Sequence, residues 1–119
     1  TARALQSALE RSAPEPLEIL VDRQVMRLDP GTITHLEAAG DYVEVHAESG
    51  RHLTKARLGE LADTLEPAGF IRVHRSFVVR AGAVQRRSST ELDLGGATVP
   101  VGRSYRAAVR SVLQASGNQ

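Results

Sequence analysis

From Leu17 onward the apolar positions of this chain recur with a period of two, the pattern of half-buried β-strands. Leu17, Ile19 and Val21 share one face, Asp22-Arg23 suits a tight turn, and Val25 to Leu28 reads as the return strand. Asp29-Pro30-Gly31 is a strong turn signal, because Pro presets φ and Asp bonds its own backbone. A third strand runs from Thr32 to Ala38 and ends before the Gly40-Asp41 break. Tyr42 to Glu48 follows, with Val43, Val45 and Ala47 on one face, and Ser49-Gly50 turns the chain into Arg51 to Thr54. Short strands punctuated at this spacing argue for an antiparallel β core.

Between residues 57 and 66 the period changes. Leu58, Leu61, Ala62 and Leu65 fall at i, i+3, i+4 and i+7, one stripe of a short helix that Pro67-Ala68-Gly69 ends. Strand character returns from Phe70 to Val79 and from Ala83 to Arg87. Leu92 to Val99 reads as a hairpin around Gly95-Gly96, and Tyr105, Ala108, Val109 and Val112 mark a closing helix. The predicted domain spans residues 17–114: mainly β, with one short helix in the middle and one at the C-terminus. Residues 1–16 run into Pro14-Glu15-Pro16 and read as a linker from an upstream domain; residues 115–119 read as a disordered polar tail.

Composition narrows the classes. At 119 residues the chain is one ordinary domain, and with no cysteine it has neither a disulfide framework nor thiolate metal ligands. No apolar run approaches the ~18 residues of a membrane span, and no signal peptide is visible. The first residue is Thr, so a fragment of a longer protein is expected. A cytoplasmic location is expected for this segment, whatever membrane anchor an upstream part carries.

The formal net charge of +1 hides an asymmetry. Residues 1–71 sum to −5 and residues 72–119 to +6, with eight arginines in the second part. Within it, Arg72, His74, Arg75 and Arg80 crowd into nine positions of an apolar strand. A structural segment rarely needs that much cation, whereas a surface that grips phosphate does. The bland reading is a solvated face or stems lying over the sheet. Arg103 and Arg106 precede or occupy the first turn of the last helix, where cations oppose the helix dipole unless an anion binds there. Few aromatics are available for stacking single strands, which favours a duplex.

Catalysis finds little support. His35, His46, His52 and His74 form no i, i+4 metal pair, and no nucleophile elbow, P-loop or dinucleotide fingerprint is present. His46 and His52 flank a turn and are read as a plain cross-strand pair; the carboxylates of the acidic half are read as solvated strand faces. No catalytic residue, cofactor or metal is expected.

Four segments in order resemble the LytTR DNA-binding domain, the output module of many bacterial response regulators. Ile33-Thr-His-Leu-Glu-Ala-Ala-Gly-Asp-Tyr-Val resembles the family's first strand and "E-A-x-G-N-Y" loop. Leu58-Gly-Glu-Leu-Ala-Asp-Thr-Leu resembles its short helix. Phe70-Ile-Arg-Val-His-Arg-Ser-Phe-Val-Val is very close to "F-x-R-V/I-H-R-S-F/Y-L/I-V-N", and Val99-Pro-Val-Gly-Arg-Ser-Tyr resembles "I-P-V-S-R-x-Y". The match covers roughly residues 17–113.

The resemblance implies an elongated stack of small antiparallel sheets whose loops enter successive major grooves of promoter DNA at repeated half-sites. Carried over position by position, Asp41, Tyr42, Val43, Arg75 and Arg103 become the base-reading candidates. Lys55, Arg57, His74, Ser76, Arg80, Arg86, Arg87, Ser104 and Arg106 become the backbone-contact candidates. An upstream receiver or membrane sensor domain and a dimer on DNA are the implied partners. Three positions depart from the pattern: Asp41 stands for the usual Asn, Arg80 for Asn, and Gly102 for a Ser cap, the last weakening that helix start by a few tenths of a kcal/mol. The alternative class is a β-rich protein-docking or regulatory module with weak or no DNA binding.

Overall fold

The computed structural model describes residues 16–116. Ten strands make three small antiparallel sheets. β1 (Leu17–Val21) pairs with β2 (Gln24–Leu28) through a turn in which Asp22 and Arg23 both take positive φ, +50° and +66°. This left-handed pair matches the twist of a hairpin, at a cost for residues that carry a Cβ. The central sheet has the order β5-β4-β3-β7-β6, from Gly50–Lys55, Tyr42–Ala47, Ile33–Ala39, Phe77–Arg80 and Phe70–His74 respectively. The third sheet joins β8 (Arg86–Arg87), β9 (Glu91–Asp93) and β10 (Thr98–Pro100). Two helices complete the domain, α1 (Leu58–Leu65) and α2 (Arg106–Ser116).

The central sheet has two faces and feeds two cores. Strand alternation sends Leu36, Val43, Val45 and Val78 to one face, where α1 and the β1–β2 hairpin cover them together with Phe70. Val73 and Val79 point the other way, under the third sheet and α2, with Leu92, Val99, Val109 and Leu113. Fully burying each such side chain stabilises by about 1.5–3 kcal/mol. The second core covers only the β6–β7 half of its face. The β3–β4–β5 half of that face carries His35, Glu37, Glu44 and His46 instead of a packed apolar layer.

Five sequence expectations need correction. Phe70 to Val79 is not one strand: β6 and β7 pair with each other around Arg75-Ser76, with His74 opposite Phe77. Only Arg86–Arg87 of the segment from Ala83 is strand, because Ala81–Ala83 forms a 3₁₀ turn. The closing helix buries Val109 and Leu113, with Tyr105 half-buried, whereas Ala108 and Val112 are exposed. A 3₁₀ turn over Arg103–Tyr105 tightens the entry and shifts the stripe to i, i+4, i+8. His46 faces His35 and Arg51, and His52 lies across from Val45, its Nε2 3.0 Å from Ser49 Oγ. The helix also reaches Ser116, two residues into the segment read as tail; the remaining tail and the lead before Pro16 lie outside the described residues.

Candidate nucleic-acid interface

Antiparallel pairing in the central sheet brings the end of β5, the start of β4, the end of β3, the start of β7 and the end of β6 to one edge. Lys55 pairs across from Tyr42, and Gly40-Asp41 closes β3 onto β4, with Gly40 at φ +63°. Ala38 N–H donates to Ser76 O at 2.9 Å, so the Arg75-Ser76 turn lies beside the end of β3. Gly102 N–H donates to Val73 O at 2.8 Å, which docks the approach to α2 against β6. A Cβ on Gly102 would stand 3.1 Å from the Tyr105 ring and 3.5 Å from His74 Cδ2. The missing Ser cap therefore comes with a close approach that places Arg103 just beyond His74. Lys55, Tyr42, Asp41, Arg75 and Arg103 form an exposed row along this edge.

The Arg75-Ser76 turn is held by its own flanks. His74 Nδ1 accepts from Ser76 N–H at 3.1 Å, which puts the ring proton on Nε2, and the ring meets Phe77 edge-on at 5.6 Å. Arg72 donates from Nε to His74 O at 3.0 Å and from Nη2 to Arg75 O at 2.6 Å. Charge-assisted bonds of this kind hold a turn more firmly than neutral ones. Sequence reasoning missed this role, because nothing in the residue string shows a side chain folding back onto carbonyls.

Other candidates fall elsewhere. Val43 is buried in the first core at 1% exposure, because alternation turns it inward, so it anchors Tyr42 and presents no side chain at the edge. Arg80 ends β7, about 10 Å along the strand from the row, and its Nε donates to Ile33 O at 2.7 Å. Arg57 precedes α1 and is exposed, and Ser104 is exposed in the turn after Arg103. Arg86 and Arg87 lie exposed on the third sheet. Arg87 meets Arg106 and Arg110 around a cavity of about 260 Å³ that Ser88 and Ser89 also line. Arg106 Nε is buried there without a hydrogen-bond partner among the described residues.

The β3–β4–β5 half of the central sheet's second-core face holds a different cluster. His35 and His46 stack with centroids 4.1 Å apart and planes within 9°. His35 is 6% exposed; burial, then the neighbouring His46, push its pKa from the ordinary 6.5 down to about 4, against an upward pull from Glu44. His46 Nε2 lies 2.9 Å from Glu44 Oε1 and 3.7 Å from Glu37 Oε1. These carboxylates are not the dispersed solvated groups that the sequence suggested.

A small three-sheet β domain that exposes Lys55, Arg75 and Arg103 along one sheet edge suits a DNA-binding module. The family model of the LytTr DNA-binding domain matches residues 23–114, and the chain belongs to that family. Domains of this family are DNA-binding output modules of transcriptional regulators. The chain is 37% identical over 93 residues to the CO-responsive transcriptional regulator RcoM of Rhodospirillum rubrum, covering 72% of this chain and 39% of that protein's length. It also matches a solved LytTr DNA-binding domain from Bacillus cereus, with a TM-score of 0.72 and 27% identity, over 83% of this chain and 96% of that one. Among the described residues no helix is long and apolar enough to cross a membrane.

Proposed function

We propose that the edge row of Asp41, Tyr42, Arg75 and Arg103 reads base edges in successive major grooves of a promoter duplex, at repeated half-sites. Lys55, Arg57, Ser76, Ser104, Arg86, Arg87 and Arg106 grip the flanking phosphates. The alignment of the two turns and the α2 approach on one edge carries this reading. Arg75 and Arg103 present planar forks suited to guanine. Asp41 can accept from a cytosine amino group, at the cost of a carboxylate near phosphate. His74 and Arg72 hold the Arg75 turn rather than read bases. The relative from Rhodospirillum rubrum is by name a CO-responsive regulator. By analogy, this domain serves as the output end of a longer regulator whose receiver or sensor lies upstream, binding as a dimer on paired half-sites.

Selection of bound duplexes from a random pool, followed by gel shifts at two salt concentrations, tests the reading. It expects one recurrent half-site at fixed spacing and a log–log salt slope of about −0.9 per neutralised phosphate. Binding with neither sequence preference nor salt dependence would favour the protein-docking alternative. That reading draws on the exposed pair Leu20 and Val25, which face each other across the β1–β2 hairpin.

A further inference from the structure

We propose that Glu37, Glu44 and His46 bind a divalent transition-metal ion of the zinc class on the β3–β4 part of the central sheet. The site goes beyond DNA recognition and does not depend on it. Glu37 and Glu44 are direct cross-strand partners on β3 and β4, and His46 follows Glu44 by two residues, so all three project from one face. Their donor atoms lie within 4.8 Å of one another.

Three observations separate this cluster from a chance meeting of surface charges. First, the spacing suits a metal. Ligands held about 2.0–2.1 Å from a tetrahedral ion stand about 3.4 Å apart, and the 2.9 and 3.7 Å separations from His46 Nε2 bracket that edge. Second, the imidazole is held in place beforehand. Its ring stacks on His35, whose Nδ1 is 3.0 Å from Thr34 Oγ1, and the same hydroxyl donates to His46 O at 3.2 Å. Among the described residues Nε2 is buried without an aligned hydrogen bond, although Glu44 is close. Third, two like charges directly opposite on neighbouring strands repel, and among the described residues Arg51 reaches Glu44 alone, at 3.8 Å. A dication between the carboxylates removes that repulsion and takes His46 Nε2 as its nitrogen ligand in place of a proton. One nitrogen with two carboxylate oxygens suits Zn²⁺ or Co²⁺ better than Mg²⁺ or Ca²⁺, which prefer oxygen alone.

The test uses the full chain, stripped with chelator and free of DNA. Calorimetric titration with Zn²⁺ should give one saturable site, and Co²⁺ should give the visible absorption of a low-coordinate complex that Zn²⁺ bleaches. Glu37→Gln with Glu44→Gln should weaken Zn²⁺ binding by at least about tenfold. The pair of changes should leave the metal-free melting temperature equal or higher, since it removes the repulsion; His52→Ala should change nothing. If the double variant fails to fold, paramagnetic broadening by Co²⁺ in the wild-type histidine spectrum decides. Broadening centred on His46 supports the site; broadening at His52 or His74, or none, overturns it. Absence of a saturable site in the wild type, or unaltered affinity in a folded double variant, also overturns it. Gel shifts run separately in chelator report on the DNA reading, so the two can fail independently.

Discussion

Replacing His74 separates holding a reading turn from touching DNA. The His74 ring supplies one acceptor, Nδ1, to Ser76 N–H at 3.1 Å, and one edge-to-face contact with Phe77 at 5.6 Å. Losing the acceptor leaves the amide unpaired in a half-buried turn and costs about 1 kcal/mol. Losing the aromatic pair costs about 0.5–1.5 kcal/mol more. His74→Ala should therefore destabilise by about 2 kcal/mol, which for a domain of this size lowers the melting temperature by about 8–10 °C. His74→Asn places an amide oxygen where Nδ1 stood, so it restores the acceptor but not the ring. It should recover about half of the lost stability and bind DNA better than His74→Ala. Thermal melts by circular dichroism and gel shifts on the best selected duplex measure both. If His74→Asn melts like His74→Ala, the Nδ1 bond contributes nothing. If His74→Ala melts like wild type yet abolishes binding, His74 is a contact residue and the reasoning fails.

Arg103→Ala should leave the melting temperature unchanged, because the side chain is exposed, and lose about 1–3 kcal/mol of affinity for the selected site, read by gel shift. Asp41→Asn should tighten binding to random duplex and alter preference at one base position; identical selection profiles would show that Asp41 only faces solvent. Arg72→Met should cost about 1–3 kcal/mol in a urea melt and weaken specific binding through the loosened turn, with Arg72→Lys recovering less than half because an ammonium cannot fork to both carbonyls. The depressed pKa of His35 sets a pH dependence: below 6.5 the unfolded chain takes up a proton that the folded one refuses until about 4. Stability should therefore fall by about 2 kcal/mol between pH 7 and 5, measured by urea melts in chelator, and His35→Gln should flatten that slope.

The sequence by itself determined the mainly β class, the positions of both helices and most hairpins, and the family. Those features rest on local chemistry. Period two survives in β4 and β5, the leucine stripe of α1 is buried as spaced, and Gly40, Gly50 and Gly95 take the positive φ their turns require. Arg75 and Arg103 were legible as candidates because a motif carried them. Tertiary structure alone decided which candidates meet. Pairing of β3 with β7 across forty residues set the Arg75 turn beside Asp41, and the Gly102–Val73 hydrogen bond brought in Arg103. The same pairing removed Arg80 to the far end and occupied its Nε with the Ile33 carbonyl. Where local period and long-range pairing disagreed, at Arg75-Ser76, pairing won, since a hairpin there pairs both strands while a straight run would carry Arg75 onto the face that Val73 and Val79 fill. The His35–His46 stack beside Glu37 and Glu44 could not be read from the chain for the same physical reason. It depends on a strand register shifted by the irregularity between Ile33 and His35, and register belongs to the folded sheet.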